Sequence, residues 1–120
     1  MERDLKQRTK SFALRIIKLY SALPRRGEAK VLSNQVLKSG TSVGAHYREA
    51  CRAKSHADFV SKVEGALQEF DETAYWLELI GEAEILPMNR LQPLHDEAEE
   101  LIAIFVTIVT KVKRKSVRNR

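Results

Sequence analysis

Apolar residues recur at alternating steps of three and four along almost the whole chain, a spacing that leaves few folds open. The last segment shows it most clearly, with Leu91, Leu94, Ala98, Leu101, Phe105, Ile108 and Val112. A second run is Phe59, Val63, Ala66, Phe70, Thr73, Leu77 and Ile80; a third is Leu5, Phe12, Ile16, Leu19 and Leu23. Leu32, Val36, Ser39, Val43, Tyr47 and Ala50 make the fourth. Side chains at these steps fall on one face of a helix, and such a stripe is the seam of a bundle. Strands would need sustained alternation of period two, which no segment has, so no sheet is expected.

The breaks between stripes carry helix-end chemistry. Pro24 to Gly27 stops the first helix, Ser55 with Asp58 three residues on resembles a capping box, and Pro87 and Asn89 separate the last two segments. The expected helices are 4–23, 28–53, 56–84 and 90–114, with Pro93 in the first turn of the last, where its missing donor costs nothing. Three short loops force antiparallel neighbours, so the fold class is all-α, an antiparallel up-down-up-down four-helix bundle. At 120 residues the chain is one domain, read as a bundle over 1–113 and a basic C-terminal tail over 114–120. Its longest apolar stretch, Leu101 to Val109, is too short to span a bilayer. The polar opening Met1-Glu2-Arg3-Asp4 carries no leader pattern, so the expected location is cytoplasmic, with no membrane partner.

The second helix weakens itself. Ser39-Gly40-Thr41-Ser42-Val43-Gly44-Ala45 lies mid-span, where each glycine costs about 1 kcal/mol relative to alanine. Small side chains let another backbone approach closely, either a neighbouring helix or another subunit.

Several patterns resemble chemistry and do not carry it. Gly40-Thr41-Ser42-Val43-Gly44 matches the hydrolase elbow G-x-S-x-G, but that motif needs a strand before the serine, and helical periodicity runs through both sides here. A dinuclear carboxylate bundle needs Glu three residues before a histidine, whereas Val43, Ala53 and Gln92 precede His46, His56 and His95. His95 and Glu99 read as a surface helical pair. Glu64, Asp71 and Glu78, like Glu69 and Glu72, read as a solvated acidic face. Cys51 reads as a small buried apolar residue, and Tyr75-Trp76 as a core anchor with one ring free to face outward. No catalytic residue, metal site or cofactor is expected, and the chain is read as no enzyme.

Charge placement is more informative than the net value of +5. Residues 1–54 carry +9 and residues 64–100 carry −10, while six basic residues from Lys111 to Arg120 close the chain. In an up-down-up-down bundle the N-terminus, the second connection and the C-terminus share one end. That end would collect Arg3, Lys6, Arg8, Lys10, Arg48, Arg52, Lys54 and the tail. Glu82, Glu84, Asp96, Glu97, Glu99 and Glu100 would gather at the other. A basic end of this kind suits phosphate backbones, bound without regard to sequence and weakened by salt.

Leu32-x-x-Gln35-x-x-x-Ser39-x-x-Ser42-Val43-Gly44-Ala45, followed by Tyr47-Arg48-Glu49-Ala50, resembles the central signature of the "four helix bundle protein" family. A second signature matches in Phe59, Glu69 and Asp71-Glu72-Thr73-x-Tyr75-Trp76-Leu77-Glu78-Leu79. The family includes proteins encoded in intervening sequences of bacterial large-subunit ribosomal RNA genes and the accessory variability determinant of diversity-generating retroelements. The resemblance covers most of residues 10–113. It implies a ring-like homopentamer with a positively charged surface, with Gly40, Ser42, Gly44, His46 and Tyr47 at the subunit interface. In the retroelement branch it also implies a reverse transcriptase as partner and a bound nucleic acid. His46 stands where the family usually has Asn, and Gln68 where Lys is common. If that Asn makes a buried polar contact, His46 preserves it in one protonation state only.

The functional expectation is a non-enzymatic homo-oligomeric adaptor that binds RNA or DNA through phosphate contacts. The contacting residues would be Arg48, Arg52, Lys54, Lys111, Lys113, Arg114, Lys115 and Arg118. The alternative is a protein-interaction scaffold with no nucleic-acid role, working through its acidic face or exposed aromatics.

Overall fold

The structure is a computed structural model that describes residues 2–118, with side chains from Arg3 onward. Four helices follow one another: α1 (Glu2–Ala22), α2 (Gly27–Cys51), α3 (His56–Glu82) and α4 (Met88–Arg118). No strand occurs among the described residues. Neighbours run antiparallel, as paired contacts along each seam require. Gly40 and Gly44 of α2 meet Ile16 and Thr9 of α1, and Ser39 and Glu49 meet Thr73 and Lys62 of α3. Glu64 and Glu78 of α3 meet Lys113 and His95 of α4. The molecule is elongated, 53 × 22 × 21 Å.

The stripes read from the sequence form the core. Phe12, Ile16, Val36, Val43, Val63, Phe70, Leu77, Leu91, Leu101 and Phe105 are all fully buried. Each helix contributes one aromatic residue to a central layer. Phe12 and Phe105 both meet Phe70 edge-on, at 5.5 and 5.6 Å between ring centroids, and Tyr47 stacks on Phe105 at 5.2 Å. Such pairs add about 0.5–1.5 kcal/mol each beyond the area they bury. Tyr75 is 54% exposed while Trp76 packs half-buried on the core, so the outward ring is the tyrosine.

Helix ends differ from the expected ones for identifiable reasons. α2 stops at Cys51, two residues early, in a tightened turn where Arg52 and Ala53 donate to the carbonyls of Glu49 and Ala50. Ser55 is extended and its Oγ accepts from the Asp58 N–H at 3.0 Å, the cap read from the sequence. Asp58 reaches back to the N–H of Lys54, not of Ser55, at 3.4 Å. α3 ends on a left-handed residue, Glu84 at φ 61°, which lets the Ile85 N–H return to the Ile80 carbonyl at 3.0 Å. That closing geometry normally calls for glycine, so the sequence did not announce it.

α4 begins at Met88, which puts Pro93 in the second turn, not the first. The acceptor it leaves without a donor belongs to Asn89, an exposed residue that water can satisfy. α4 also continues helical through Arg118, four residues past the expected boundary, so the basic residues from Arg114 to Arg118 ride on a helix. Lys and Arg are good helix formers, and positive charge in a last turn complements the helix dipole. Arg120 lies outside the described residues.

Candidate nucleic-acid interface

The small residues of α2 first serve packing within the chain. A Cβ placed on Gly40 would lie 2.7 Å from Ile16 Cγ1, and one on Gly44 would lie 3.2 Å from Thr9 Oγ1, so α1 presses close along this line. Gly40 and Tyr47, two of the expected interface positions, are committed to the protomer's own interior. Ser42, Gly44 and His46 keep partial exposure. Ser42 stands on an unbroken helix with its Oγ donating to the Lys38 carbonyl at 2.6 Å, a geometry unlike a nucleophile elbow.

The same small residues leave a shallow trough on the outer side of the α1–α2 seam. Thr41, Gly44 and Ala45 form its floor with Thr9 and Ala13, and Lys6, Lys10 and Arg48 stand around it, enclosing about 300 Å³. None of the described residues lining it is acidic. The floor threonines are occupied: Thr9 Oγ1 donates to the Leu5 carbonyl at 2.8 Å and Thr41 Oγ1 to the Leu37 carbonyl at 2.7 Å. A bound anion would therefore meet cationic side chains over an uncharged, low floor. Lys and Arg neutralise phosphate in this way without reading a sequence.

Of the expected phosphate contacts, Arg48 lies in this trough, and Arg52 and Lys54 are exposed at the α2–α3 turn. Lys54 borders the cleft that Ile108 and Val112 of α4 also line, so the turn and the C-terminal half of α4 share one end. Lys111, Arg114, Lys115 and Arg118 are exposed on the last turns of α4. Lys113 is held at 3.2 Å by Glu64, which offsets its charge. Lys6 and Lys10 were legible as part of a basic end but not as contacts. Their signal was the i, i+4 spacing on the face that also carries Thr9 and Ala13, opposite the small residues of α2.

The expected division into a basic and an acidic end needs correction. Arg8 holds Glu97 through two nitrogens, at 2.7 and 3.2 Å, and lies 3.3 Å from Glu100. Those carboxylates keep the Arg8 guanidinium more firmly protonated, the Glu97 hydrogen bond being the largest cause. The reason is length. α4 has 31 residues against 21 in α1, so the third and fourth turns of α4 lie beside the N-terminal part of α1.

On its other side α2 faces an acidic group. His46 packs against Gly65 and its Nε2 lies 3.9 Å from Glu69. Burial pushes the Glu69 carboxyl above its ordinary value, Glu72 raises it further by charge and hydrogen bonding, and His46 and Lys38 oppose both. His46 is thus a half-exposed partner of a carboxylate. On α4, His95 Nε2 lies 2.8 Å from Glu78 of α3 and 4.0 Å from Glu99, so its closer partner is across the seam. Cys51 is half-buried in the lining of the cleft at the turn and not part of the inner core.

The family model described as 23S rRNA-intervening sequence protein matches residues 1–107, all but the last turns of α4. The chain belongs to that family. It is also similar to a crystal structure of a protein with unknown function from the S23 ribosomal protein family of Bacteroides thetaiotaomicron. The two share 38% identity over 87% of this chain and 96% of that one, with a TM-score of 0.81. No curated protein matches the chain. The matched region of the 23S rRNA-intervening sequence protein model contains the whole α1–α2 trough and the α2–α3 turn. It leaves out Lys111 to Arg118. Among the described residues no helix is long and apolar enough to cross a membrane.

Proposed function

We propose that this member of the 23S rRNA-intervening sequence protein family is a non-enzymatic homo-oligomeric adaptor, pentameric, that binds RNA or DNA through phosphate contacts. Its place would be accessory to a reverse transcriptase or to an RNA process. The observation that supports nucleic-acid binding is the α1–α2 trough, where Lys6, Lys10 and Arg48 surround a floor of small residues and none of the described lining residues is acidic. Arg52, Lys54 and the exposed cations of α4 extend positive charge beyond it. Ser42 and His46, outside the trough lining, keep the surface that an intersubunit contact needs. Several copies of one cationic surface would raise affinity by avidity on a nucleic acid long enough to reach more than one.

The test is fluorescence anisotropy with a labelled structured RNA and a matched DNA duplex, from about 50 to 200 mM salt. Affinity falling by several decades across that range is expected of multiple phosphate contacts. Lys10→Ala should weaken binding alike on unrelated sequences and flatten the salt slope by about one. An absence of binding at the lowest salt would remove the proposal. The reading then favoured is a protein-interaction scaffold without a nucleic-acid role, supported by the exposed ring of Tyr75 on acidic α3. Sedimentation equilibrium separately tests the oligomer; a monomer at micromolar concentration would remove that part alone.

A further inference from the structure

We propose that the cleft between the α2–α3 turn and the C-terminal half of α4 is a docking site for a short amphipathic helix of another protein. The polar side of that helix would be acidic. Two adjoining clefts, about 520 and 410 Å³, share His56 and Val112. Their apolar lining includes Phe59, Val60, Ile108 and Val112, all half-buried, and Val117, 67% exposed. In a closed four-helix bundle the first helix would cover such a stripe. Here none of the described residues of α1 lines either cleft. Further back, α1 meets α4 through Arg8 at Glu97 and Glu100, and beside Arg90, Pro93 and Leu94.

Length and charge say what fits. From Ile108 to Val117 the apolar edge of α4 runs about 14 Å at 1.5 Å per residue, room for anchors at i, i+3 or i+4, and i+7 of a guest helix. The charged margin is cationic: Lys54 in the lining, with Arg114 and Lys115 exposed on the last turns of α4 beside it. Among the described residues the lining holds one carboxylate, Glu64, which lies 3.2 Å from Lys113, so those two charges offset each other. The positive end of the α3 dipole opens on the same cleft at Ser55 and His56. A helix with carboxylates beside its apolar stripe is complementary to this margin, and a basic helix is repelled. A nucleic-acid strand suits it less, because Tyr47 is 96% buried and Phe59 half-buried, which leaves bases the His56 ring as the exposed one to stack on. The site lies on different helix faces from the α1–α2 trough and stands or falls independently of it.

The experiment uses the full chain and a fluorescein-labelled 15-residue helical peptide with Leu at the anchor positions and Glu elsewhere, against a counterpart with Lys for Glu. The acidic peptide should bind saturably and at least about tenfold more tightly than the basic one. Backbone amide shifts should concentrate in residues 51–60 and 108–117. Val112→Glu should weaken the acidic peptide by about tenfold or more with helicity unchanged by circular dichroism. The exposed Lys54→Glu, which leaves the apolar lining intact, should weaken it several-fold. Equal binding of the two peptides, or binding by neither, would overturn the proposal. So would a Val112→Glu protein that retains its helices but loses self-association, since the cleft would then be covered by a second copy. RNA that shifts the amides of Val60 and Ile108 where the acidic peptide does not would assign the cleft to nucleic acid instead.

Discussion

Replacing Gly40 by alanine puts two effects of similar size in opposition. In an exposed helix the change would stabilise by about 1 kcal/mol, because alanine loses less conformational freedom than glycine. At Gly40 the added Cβ would lie 2.7 Å from Ile16 Cγ1, 2.9 Å from Cγ2 and 3.2 Å from Cβ. Carbon atoms in contact rest at about 3.5–4.0 Å, so the seam must open by several tenths of an ångström or more. Ile16 is fully buried, so it cannot turn out into solvent. Overpacking of this kind costs about 1–3 kcal/mol. The net expectation for Gly40→Ala is a loss of about 1 kcal/mol in urea unfolding followed by circular dichroism. The decisive measurement is the same substitution in an Ile16→Ala background, where the two closest atoms are gone. There Gly40→Ala should stabilise by up to about 1 kcal/mol, giving a coupling of roughly 2 kcal/mol between the two positions. A Gly40→Ala protein more stable than the parent in both backgrounds would refute the claim that the glycine exists to admit Ile16. A variant of unchanged protomer stability but altered oligomeric state would move the role of Gly40 to an intersubunit seam.

Three further substitutions test other parts of the fold. Glu84→Gly should stabilise by about 1 kcal/mol in thermal unfolding, because Glu84 holds φ 61° at the end of α3, a region glycine enters without strain. Thr73→Val should cost about 1–2 kcal/mol, since Thr73 Oγ1 lies 2.7 Å from buried Ser39 Oγ, whose other contact, to the Val36 carbonyl, is long at 3.5 Å. Glu69→Gln should stabilise the protein at neutral pH and lose that advantage in acid. Burial and Glu72 raise the carboxyl above 4.5 in the folded state, so its ionised form opposes folding above the folded value, and the opposition fades as pH falls toward the unfolded one. Urea midpoints at pH 7 and pH 4 check the sign, and a Glu72→Gln protein should show Glu69 titrating lower by carboxyl NMR.

Most of the architecture was legible because one physical pattern, the apolar stripe, repeats in all four helices. Each of Phe12, Tyr47, Phe70 and Phe105 could be placed on its core face from spacing alone, and the four meet in one layer. Relative helix length was less legible, and it decided the charge map. Residues 114–120 read as a tail because the apolar stripe runs only to Val112 before a run of basic residues. Val112 and Val117, with good helix formers between them, are enough to continue α4 in the structure. Glu84 was invisible for a different reason: nothing in a glutamate announces a left-handed backbone.

The candidate site was half legible, and the missing half explains why α2 is built as it is. From the sequence, Gly40 to Ala45 offered a choice between packing and assembly, and Arg48 was a charge on a basic helix. In three dimensions the packing role and the cationic trough arise from the same residues. Gly44 brings α1 close enough for Thr9 to sit beneath the seam, and the absence of side-chain bulk at Thr41, Gly44 and Ala45 leaves the trough that Lys6, Lys10 and Arg48 border. Larger residues there would fill the trough whether or not they disturbed the core. The opposite side of α2 sets His46 against Gly65 and Glu69, where carboxylates and cations alternate along the seam, Lys38 near Glu69 and Lys62 on Glu49. One helix thus separates a cationic trough from a face of mixed charge. That separation depends on the register between α1 and α2: a shift of one helical turn, about 5.4 Å, would take Arg48 away from Lys6 and Lys10 and break the trough.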